Sequence, residues 1–491
     1  MGLTTFQVPQ PDRLSAEAVR QCYMQGIDAI PWLSKNVLDG NLLSIQRAAN
    51  ESGNLYILWP IEGLGQITLN TTCLRESPEP YILPVELARG TVGRVRNQIE
   101  AWRQIGINAP PEVLEQVSSA TAALCTAVTS QTNHEVAAQA SEIAIRESLQ
   151  AIEAMMRAYS EYALTRSGKR NIFLGANLGN RSGLDFPSDL LGTINTGVVP
   201  FSWSETEGSS DQAGSDNFEE QVRWCRKLGL RICGGPLLNF DRNELPDWLY
   251  LWEDDTESLQ SYMVSYVESI VSRYAGKVSL WHVWAGINNG MAMNFSEEQR
   301  LRIGVAALEA LRKFDPSTPA FVSFNQPFGE YLSRRAMDLA PIHYADTLIR
   351  ADLGISGFGL ELNMGYWPDG TLPRDVLEIN RIIDRWSSLG LPLVIIITIP
   401  GVTDTAAAAG NAPLDRMIPF GSESPDSLTQ AKLALDTIRA CLAKPSVQGV
   451  IWNQLNDGDT TNYPCGGLLT DDGQSKPVLE ALREIRTKYV T

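Results

Sequence analysis

The sequence predicts an α/β protein whose larger part is a (β/α)8 TIM barrel, preceded by a small mainly-β domain and a helical hairpin or bundle. Its 491 residues are too many for one hydrophobic core, so more than one domain is expected. From residue 171 onward, short apolar segments alternate with amphipathic ones, which is typical of a parallel sheet with helical crossovers. The texture of the sequence also changes near residue 87. We therefore predict domains at residues 1–87, 88–170 and 171–491.

The first region, residues 1–87, has the pattern of a small sheet or sandwich. Residues 41–47, 54–60 and 65–74 alternate apolar and polar positions, and Ser-Gly and Pro separate them. One helix is predicted near residues 16–25. Such a module could bind sugar, pack against the rest of the chain, or join copies of the chain into a homo-oligomer.

The second region, residues 88–170, has a helical pattern. Apolar residues recur at three- and four-residue spacing in residues 86–105 and 135–164, with few residues that break helices. Pro110 and Pro111 mark the turn between the two helices. We expect this hairpin or bundle to pack against the barrel.

Eight strand-like segments in the third region predict the barrel. They are residues 172–176, 193–199, 231–236, 278–284, 320–324, 357–362, 393–398 and 449–452. Amphipathic segments between them include residues 218–228, 258–274, 297–314, 376–389 and 427–443. In this fold the active face lies at the C-terminal ends of the strands, so the residues that follow each strand are the candidates for function.

The charge of the chain excludes some partners. A formal net charge of −17 argues against nucleic acid and against an anionic membrane surface, because both bind clustered Lys and Arg. A neutral oligosaccharide or glycoside is compatible with this charge. Seven scattered cysteines without a Cys-x-x-Cys pair indicate a reducing compartment. Neither a signal-peptide pattern nor an apolar run of 18 residues is visible, so we expect a cytoplasmic protein.

Several segments of the third region resemble the family 10 glycoside hydrolases, the xylanases. Residues 233–248 are similar to that family's third-strand segment, and residues 266–284 to the approach to its W-D-V-V-N-E motif. Residues 357–361 lie where the family has G-I-G-x-Q, with Glu361 in place of the glutamine. Residues 467–477 resemble its closing L-L-F-D-x-x-x-x-P-K-P. The resemblance spans the whole barrel but not the first 170 residues. It implies retaining hydrolysis by two glutamates about 5–5.5 Å apart.

The sequence departs from the family at both of those glutamates. Laid on the fourth-strand motif, residues 281–286 place Gly286 at the acid/base position. Counting from Gly390 places Ile397 at the nucleophile position, and matching on the Ile-Thr pair places Ile399 there. Glycine and isoleucine can neither donate a proton nor form a glycosyl ester, so the family's own double displacement is excluded.

A relocated carboxylate pair is the alternative for catalysis. Glu361 ends the sixth strand, and the other member could be Glu205, Asp241 or Asp457, which follow other strands. An inverting mechanism tolerates a separation of about 6.5–9.5 Å, so the family's spacing is not required. These acids could equally hydrogen-bond the hydroxyls of a bound sugar or simply ring the pocket.

Aromatic and amide side chains after the strands favour sugar binding. Tryptophans stack on pyranose rings, and amides bond hydroxyl groups, although some of the tryptophans are expected only to pack the top of the barrel. The predicted binding residues are Trp203, Asn239, His282, Trp284, Asn288, Asn325, Asn363 and Trp452, with Tyr366 and Trp367 as further aromatic residues near the mouth. His282 could instead be a hydrogen-bonded core residue.

No metal site and no cofactor are predicted. The three histidines are spread over three elements, and no phosphate-binding glycine loop is present. Three functions remain open: a glycoside-hydrolase-like enzyme with a relocated acidic pair, a non-catalytic sugar-binding pseudoenzyme, and an assembly scaffold. Residues that define the xylose subsites of the family are replaced, so the sugar itself is not predicted.

Overall fold

Two small sheets and a helix form the beginning of the chain. The computed structural model describes residues 2–179, 188–208, 213–241, 244–289, 292–337, 339–366, 368–402, 417–459 and 462–491. The first sheet has the order β3-β4-β1-β7, from strands β1 (Gly2–Gln7), β3 (Ser34–Asp39), β4 (Leu42–Arg47) and β7 (Tyr81–Ile82). The second has the order β2-β5-β6, from β2 (Tyr23–Gln25), β5 (Asn54–Ile61) and β6 (Gly65–Asn70). The helix is Ala16–Gln21.

Three helices follow, one more than the two segments predicted from periodicity. They are Leu83–Gln104, Pro111–Thr129 and His134–Ser167, and they pack on one another. We had assigned Pro110 and Pro111 to a turn, but Pro111 is the first residue of the middle helix. Proline is favoured at that position because its missing N–H has no helical partner in the first turn.

Eight parallel strands close into a barrel, which confirms the predicted fold class. They are β8 (Phe173–Asn177), β9 (Thr196–Val199), β10 (Arg231–Gly234), β12 (Leu280–His282), β14 (Ala320–Asn325), β15 (Gly357–Asn363), β16 (Leu393–Thr398) and β17 (Val447–Trp452). Their order is β10-β12-β14-β15-β16-β17-β8-β9. A short pair, β11 (Leu238–Asn239) and β13 (Trp284–Ala285), extends the barrel at its mouth.

Helices surround the barrel and come between its strands. The described helices are Ser188–Leu191, Trp203–Gly208, Ala213–Lys227, Thr256–Tyr274, Glu297–Phe314, Pro341–Arg350, Val376–Ser387, Ser427–Leu442 and Pro477–Tyr489. Short 3-10 helices lie at Pro11–Arg13, Asp247–Trp252 and Glu330–Ser333. Capping side chains set several of the helix starts: Ser296, for example, accepts from the backbone of Gln299, whose side chain accepts in return.

Alternation along the strands separates an inner from an outer set of side chains. Val394 and Ile396 belong to a cluster inside the barrel, together with Leu280, Phe321 and Ile451. Their neighbours in sequence, such as Ile397, belong to the layer between the strands and the helices. Because successive side chains of a strand point to opposite faces, this phase decides which residues can reach the mouth of the barrel.

The N-terminal region contacts the segment after β15 through a buried ion pair of Arg94 and through hydrogen bonds of Tyr23 and Thr68. Arg374, in the loop after β15, lies 3.0 Å from Glu330, and its guanidinium also donates to the hydroxyl of Tyr23 on β2. Arg94 lies 2.7 Å from Asp375. The backbone N–H of Thr68, on β6, donates to the carbonyl of Pro373. The N-terminal sheets therefore hold loops that follow the barrel strands.

Two further observations concern the environment of the chain. Within the described residues, no helix combines the length and the apolar character needed to cross a membrane. The seven cysteines are free thiols: Cys22, Cys225, Cys233 and Cys441 are buried, Cys465 is half-buried, and Cys73 and Cys125 are exposed. The cytoplasmic location remains a prediction.

Candidate active site

A cavity of about 670 Å³ opens at the C-terminal mouth of the barrel. Its walls come from the ends of β8, β9, β12, β15 and β17 and from the loops that follow β9, β11 and β17. The described residues of these walls include five carboxylates: Glu205, Asp241, Glu244, Glu361 and Asp459. Among the described lining residues there is no lysine or arginine. The cavity is therefore acidic.

Glu361 lies deepest among these acids. It is the fifth residue of β15, on the inward phase, and only 3% of its surface is exposed. The hydroxyl of Ser323, on the neighbouring strand β14, lies 2.5 Å from its Oε1. Burial and the charge of Asp241 raise the pKa of Glu361 to about 8, against the opposing effect of the Ser323 hydrogen bond. Glu361 is therefore a protonated acid at neutral pH.

Asp241 follows β11 and lines the same cavity as Glu361. Its backbone N–H donates to Asn239 Oδ1 at 3.2 Å, and Asn325 Nδ2 lies 3.4 Å from its Oδ1. Burial and the charge of Asp369 raise its pKa to about 6, which the Asn325 amide partly opposes. Asp241 is therefore largely ionised at pH 7, while Glu361 is not.

Glu244 and Glu205 form the outer part of the acidic wall. Burial raises the pKa of Glu244 to about 7, and the charges of Asp241 and Glu205 add to this shift. Glu205 is exposed at the start of the helix Trp203–Gly208. The structure thus brings three of the four predicted acids, Glu205, Asp241 and Glu361, into one cavity.

Asp457 is not part of this wall. Its carboxylate lies 3.0 Å from the buried ammonium of Lys476 and accepts from the backbone N–H of Gly467 at 2.7 Å. It does not appear among the lining residues of the cavity. These contacts make Asp457 a structural anchor for the loop after β17, in contrast to the catalytic role considered from the sequence.

The two positions aligned with the family's glutamates lie in very different surroundings. A Cβ atom on Gly286 would come 2.8 Å from Oδ1 of Asp241, and its φ of +69° disfavours any side chain. Asp241 therefore occupies the space into which a side chain at 286 would project. Ile397 belongs to the outer layer of the barrel. The count that placed Ile397 at an inward position thus misses the phase of β16, whose inward residues are Val394, Ile396 and, by alternation, Thr398.

The predicted tryptophans are mostly packing residues. Trp284 and Trp452 are buried in the layer between strands and helices and do not line the cavity. Trp452 Nε1 donates to the carbonyl of Gly466 at 2.8 Å. Trp203 does line the cavity, but one face of its ring stacks on Tyr266 at 4.6 Å. Tyr366 is buried beside Tyr463 at a ring distance of 5.2 Å, and Trp367 lies outside the described residues.

Of the predicted asparagines, one lines the cavity and the others bond neighbouring residues. Asn239 lines the cavity beside Asp241. Asn325 donates from Nδ2 to Asp241 Oδ1 at 3.4 Å. Asn363 accepts from Asn453 Nδ2, also at 3.4 Å. Asn288 bonds the backbone of Asn325 and the hydroxyl of Tyr331, away from the cavity. Asn288 therefore supports the loop after β14.

His282 lines the floor of the cavity. Its ring stacks on Phe321 at 4.4 Å, and its Nε2 lies 2.8 Å from Ser323 Oγ. Burial lowers its pKa to about 3, so the imidazole is neutral. Gly235 packs beside it: its φ is +120°, and a side chain there would overlap the carbonyl of His282.

Four residues of the site were not predicted. Glu244 and Tyr463 line the cavity, Ser323 bonds Glu361, and Asp369 acts on Asp241 through its charge. The charges of Asp241 and Glu361 help to raise the pKa of the buried Tyr463 well above its usual value, so it remains a hydroxyl. Only Ser323 carried a signal in the sequence, since Ser323 and Asn325 are polar at alternate positions of an otherwise apolar strand.

No known family model matches this chain. Its structure is similar to solved xylanase structures. The native xylanase 10B of Thermotoga maritima is 17% identical, with a TM-score of 0.47 over 67% of this chain and 97% of the xylanase. Xylanase 10B of Thermotoga petrophila RKU-1, in complex with xylobiose, is 16% identical, with a TM-score of 0.47 over 67% and 96% of the two chains. Xylanase B of Clostridium stercorarium F9 is 17% identical, with a TM-score of 0.45 over 65% and 98%.

Proposed function

We propose that the protein hydrolyses an O-glycosidic bond of a neutral oligosaccharide or glycoside in the barrel mouth, with Glu361 as the acid and Asp241 as its carboxylate partner. The observation that carries the proposal is that both residues line one cavity and that the charge of Asp241 raises the pKa of Glu361. Two interacting carboxyl groups with separated pKa values divide the roles of acid and base between them. At neutral pH the pair holds one proton, on Glu361.

The reaction needs both members of this pair. Glu361 gives its proton to the glycosidic oxygen as the bond from that oxygen to the anomeric carbon breaks. Asp241, as the ionised member, either activates the water that attacks the anomeric carbon or attacks that carbon itself. The first route inverts the configuration of the product and the second retains it. The anomeric form of the first product, read by proton NMR during the reaction, decides between them.

Substitution of the two carboxylates tests the proposal. On a panel of xylo-, gluco- and manno-oligosaccharides, Glu361→Gln and Asp241→Asn should each lower kcat by about 100-fold or more, because each removes a proton-transferring or nucleophilic group. Glu298→Gln is the matched control, since Glu298 is an exposed residue of the surface pair with Arg302. Equal turnover by all three variants would contradict the assignment of the pair.

The pH profile is a second test of the same pair. Activity should fall below about pH 6, where Asp241 takes up a proton, and above about pH 8, where Glu361 loses its own. Glu361→Gln should abolish the alkaline limb in whatever activity remains. A profile without that limb in the unmodified protein would exclude Glu361 as the acid.

A non-catalytic sugar-binding protein is the second candidate. The 3% exposure of Glu361 favours it, because so deep a carboxyl has little access to a glycosidic oxygen. In this case the same oligosaccharides bind with calorimetrically measurable heat but are not cleaved, and Glu361→Gln changes neither result. The two candidates thus differ in turnover and in the effect of one substitution.

A further inference from the structure

Three buried side chains form a line of hydrogen bonds across neighbouring barrel strands. His282 on β12, Ser323 on β14 and Glu361 on β15 all point into the barrel. Ser323 Oγ lies 2.8 Å from His282 Nε2 and 2.5 Å from Glu361 Oε1. The same hydroxyl lies 3.3 Å from the carbonyl oxygen of Trp284. One serine hydroxyl therefore has three partners.

The hydroxyl has a single proton and two lone pairs, which limits how the three contacts can be made. When Glu361 is ionised, Ser323 must donate to it, and Ser323 Oγ can then accept only from an Nε2–H of His282. When Glu361 is protonated, it donates to Ser323 Oγ, which still accepts from His282, and the hydroxyl proton turns to the carbonyl of Trp284. A rotation of one O–H bond thus satisfies both protonation states of Glu361.

His282 must keep a fixed form for this scheme to work. Its ring stacks on Phe321 and is buried, which holds the ring in place. Burial keeps the imidazole neutral, against the smaller opposing effect of its hydrogen bond with the backbone of Trp284. The titratable groups that face Glu361 are Asp241 from the loop after β11 and Tyr463 from the loop after β17, while Asp369 acts on both of these. All of these groups are acids or hydroxyls. Among the described lining residues there is no lysine or arginine that could give Glu361 a proton in place of this network.

We propose that Ser323 is a two-position hydroxyl switch, held by the Nε2–H tautomer of His282, which keeps Glu361 hydrogen-bonded both before and after Glu361 gives up its proton. Ser323 and His282 are positioning residues, since they act through Glu361. The inference rests on the proposed function for its catalytic meaning. The proton leaves Glu361 for the leaving oxygen, the Ser323 proton rotates from Trp284 to Glu361, and return of a proton from water reverses both steps.

The tautomer of His282 tests the switch without any need for activity. The chain has three histidines, so a nitrogen-15 NMR spectrum of the full-length protein labelled in histidine has few signals, and His282→Gln identifies those of residue 282. We expect a neutral ring with a protonated Nε2 at pH 5, 7 and 9. An unprotonated Nε2 at any of these values, or a charged ring, would overturn the proposal. The result does not depend on whether the protein cleaves sugars.

Ser323→Ala supplies the second measurement. Because the serine donates to ionised Glu361, its loss should raise the pKa of Glu361 by about one unit. Carbon-13 NMR of the glutamate carboxyl groups reads this pKa, with Glu361→Gln to identify the signal. If the protein is active, the alkaline limb of its pH profile should move upward by the same amount. A merely structural serine would change folding stability but would leave the Glu361 pKa in place, which would contradict the switch.

Discussion

At the scale of single residues, the raised pKa of Glu244 predicts a change of stability with pH. A carboxyl whose pKa is higher in the folded than in the unfolded chain makes stability fall as pH rises from about 4 to about 7, the pKa of Glu244. Glu244→Gln removes this cost, so it should raise the free energy of unfolding at pH 8 by about 1–3 kcal/mol and have little effect at pH 4. Urea unfolding at the two pH values measures the difference.

Glu298→Gln is the control for this measurement, because Glu298 is exposed and lies outside the cavity. Its effect should be the same at both pH values. A Glu244→Gln variant that is less stable than the unmodified protein at pH 8 would show that the hydrogen bond between Asn239 and the Glu244 carboxylate outweighs the cost of burying its charge.

The acids of the cavity show what a sequence can and cannot disclose about single residues. Glu361 and Asp241 could be named because each follows or ends a predicted strand, where a barrel places its active face. Trp284 and Trp452 fulfilled the same criterion, yet both point outward. The strands of the barrel are buried on both faces, so their apolar runs do not reveal which phase points inward.

At the scale of elements, the phase of β16 leads to a prediction about Ile397. Ile397 is fully buried in the layer between the strands and the helices, among apolar side chains of the described residues. Ile397→Glu should therefore lower the free energy of unfolding by more than about 3 kcal/mol, or prevent folding, and should restore no hydrolysis. Ile397→Val, which removes one methylene, should cost only about 0.5–1.5 kcal/mol. Thermal unfolding of the two variants makes the comparison.

A glutamate at 397 that folds normally and increases sugar cleavage would mean that this position faces the cavity. Such a result would support the site that the family resemblance implies, with the nucleophile position at residue 397. It is the sharpest element-level test, because the inward and outward phases of β16 give opposite results.

The buried ion pair between the loops after β14 and β15, which Tyr23 of the N-terminal sheets contacts, gives a second prediction at this scale. Arg374 and Glu330 are 0% and 3% exposed, so removing one partner leaves a buried charge. Arg374→Met should destabilise the protein by about 3–5 kcal/mol, and the double variant Arg374→Met with Glu330→Met should recover much of that loss. Arg302→Met, in an exposed ion pair, is the control and should have no measurable effect on unfolding by urea. If the double variant does not recover stability, the contacts of the Arg374 guanidinium with the rings of Tyr23, Tyr56 and Phe328 matter more than its ion pair with Glu330.

Sequence patterns located the barrel elements more reliably than the N-terminal ones. The predicted segment 297–314 coincides with the helix Glu297–Phe314, because an N-cap serine and a strongly amphipathic pattern define it. The helix Pro111–Thr129 was missed because Pro110 and Pro111 indicated a turn, whereas Pro111 begins the helix. How the N-terminal sheets join the barrel could not be predicted, since Arg374 and Tyr23 are about 350 residues apart in the chain.

At the scale of the whole molecule, the charge of the chain and the charge of the cavity have the same sign. The net charge is −17, and the described lining residues supply carboxylates without a lysine or arginine. Arg334 is a cation that acts on Asp369, but it is not among the lining residues. A negative surface around a negative cleft repels anions both on approach and when bound. If the cavity binds a sugar, as proposed, this charge should favour neutral over anionic sugars.

We therefore expect the cavity to bind neutral oligosaccharides and to reject those that carry uronic acids. In calorimetric titrations at pH 8, a uronate-bearing oligosaccharide should bind at least about tenfold more weakly than its neutral counterpart of the same length, which corresponds to about 1.4 kcal/mol. Added salt should reduce this difference in affinity, because it screens the repulsion.

A lower pH should also reduce the difference in affinity between the two sugars. At pH 5, Asp241, Glu244 and Glu361 are largely protonated, while the uronate still carries most of its charge. Glu244→Gln should reproduce part of this effect at pH 8, whereas Glu298→Gln should not. Stronger binding of the uronate at pH 8 would require a cation inside the cavity and would contradict its acidic character.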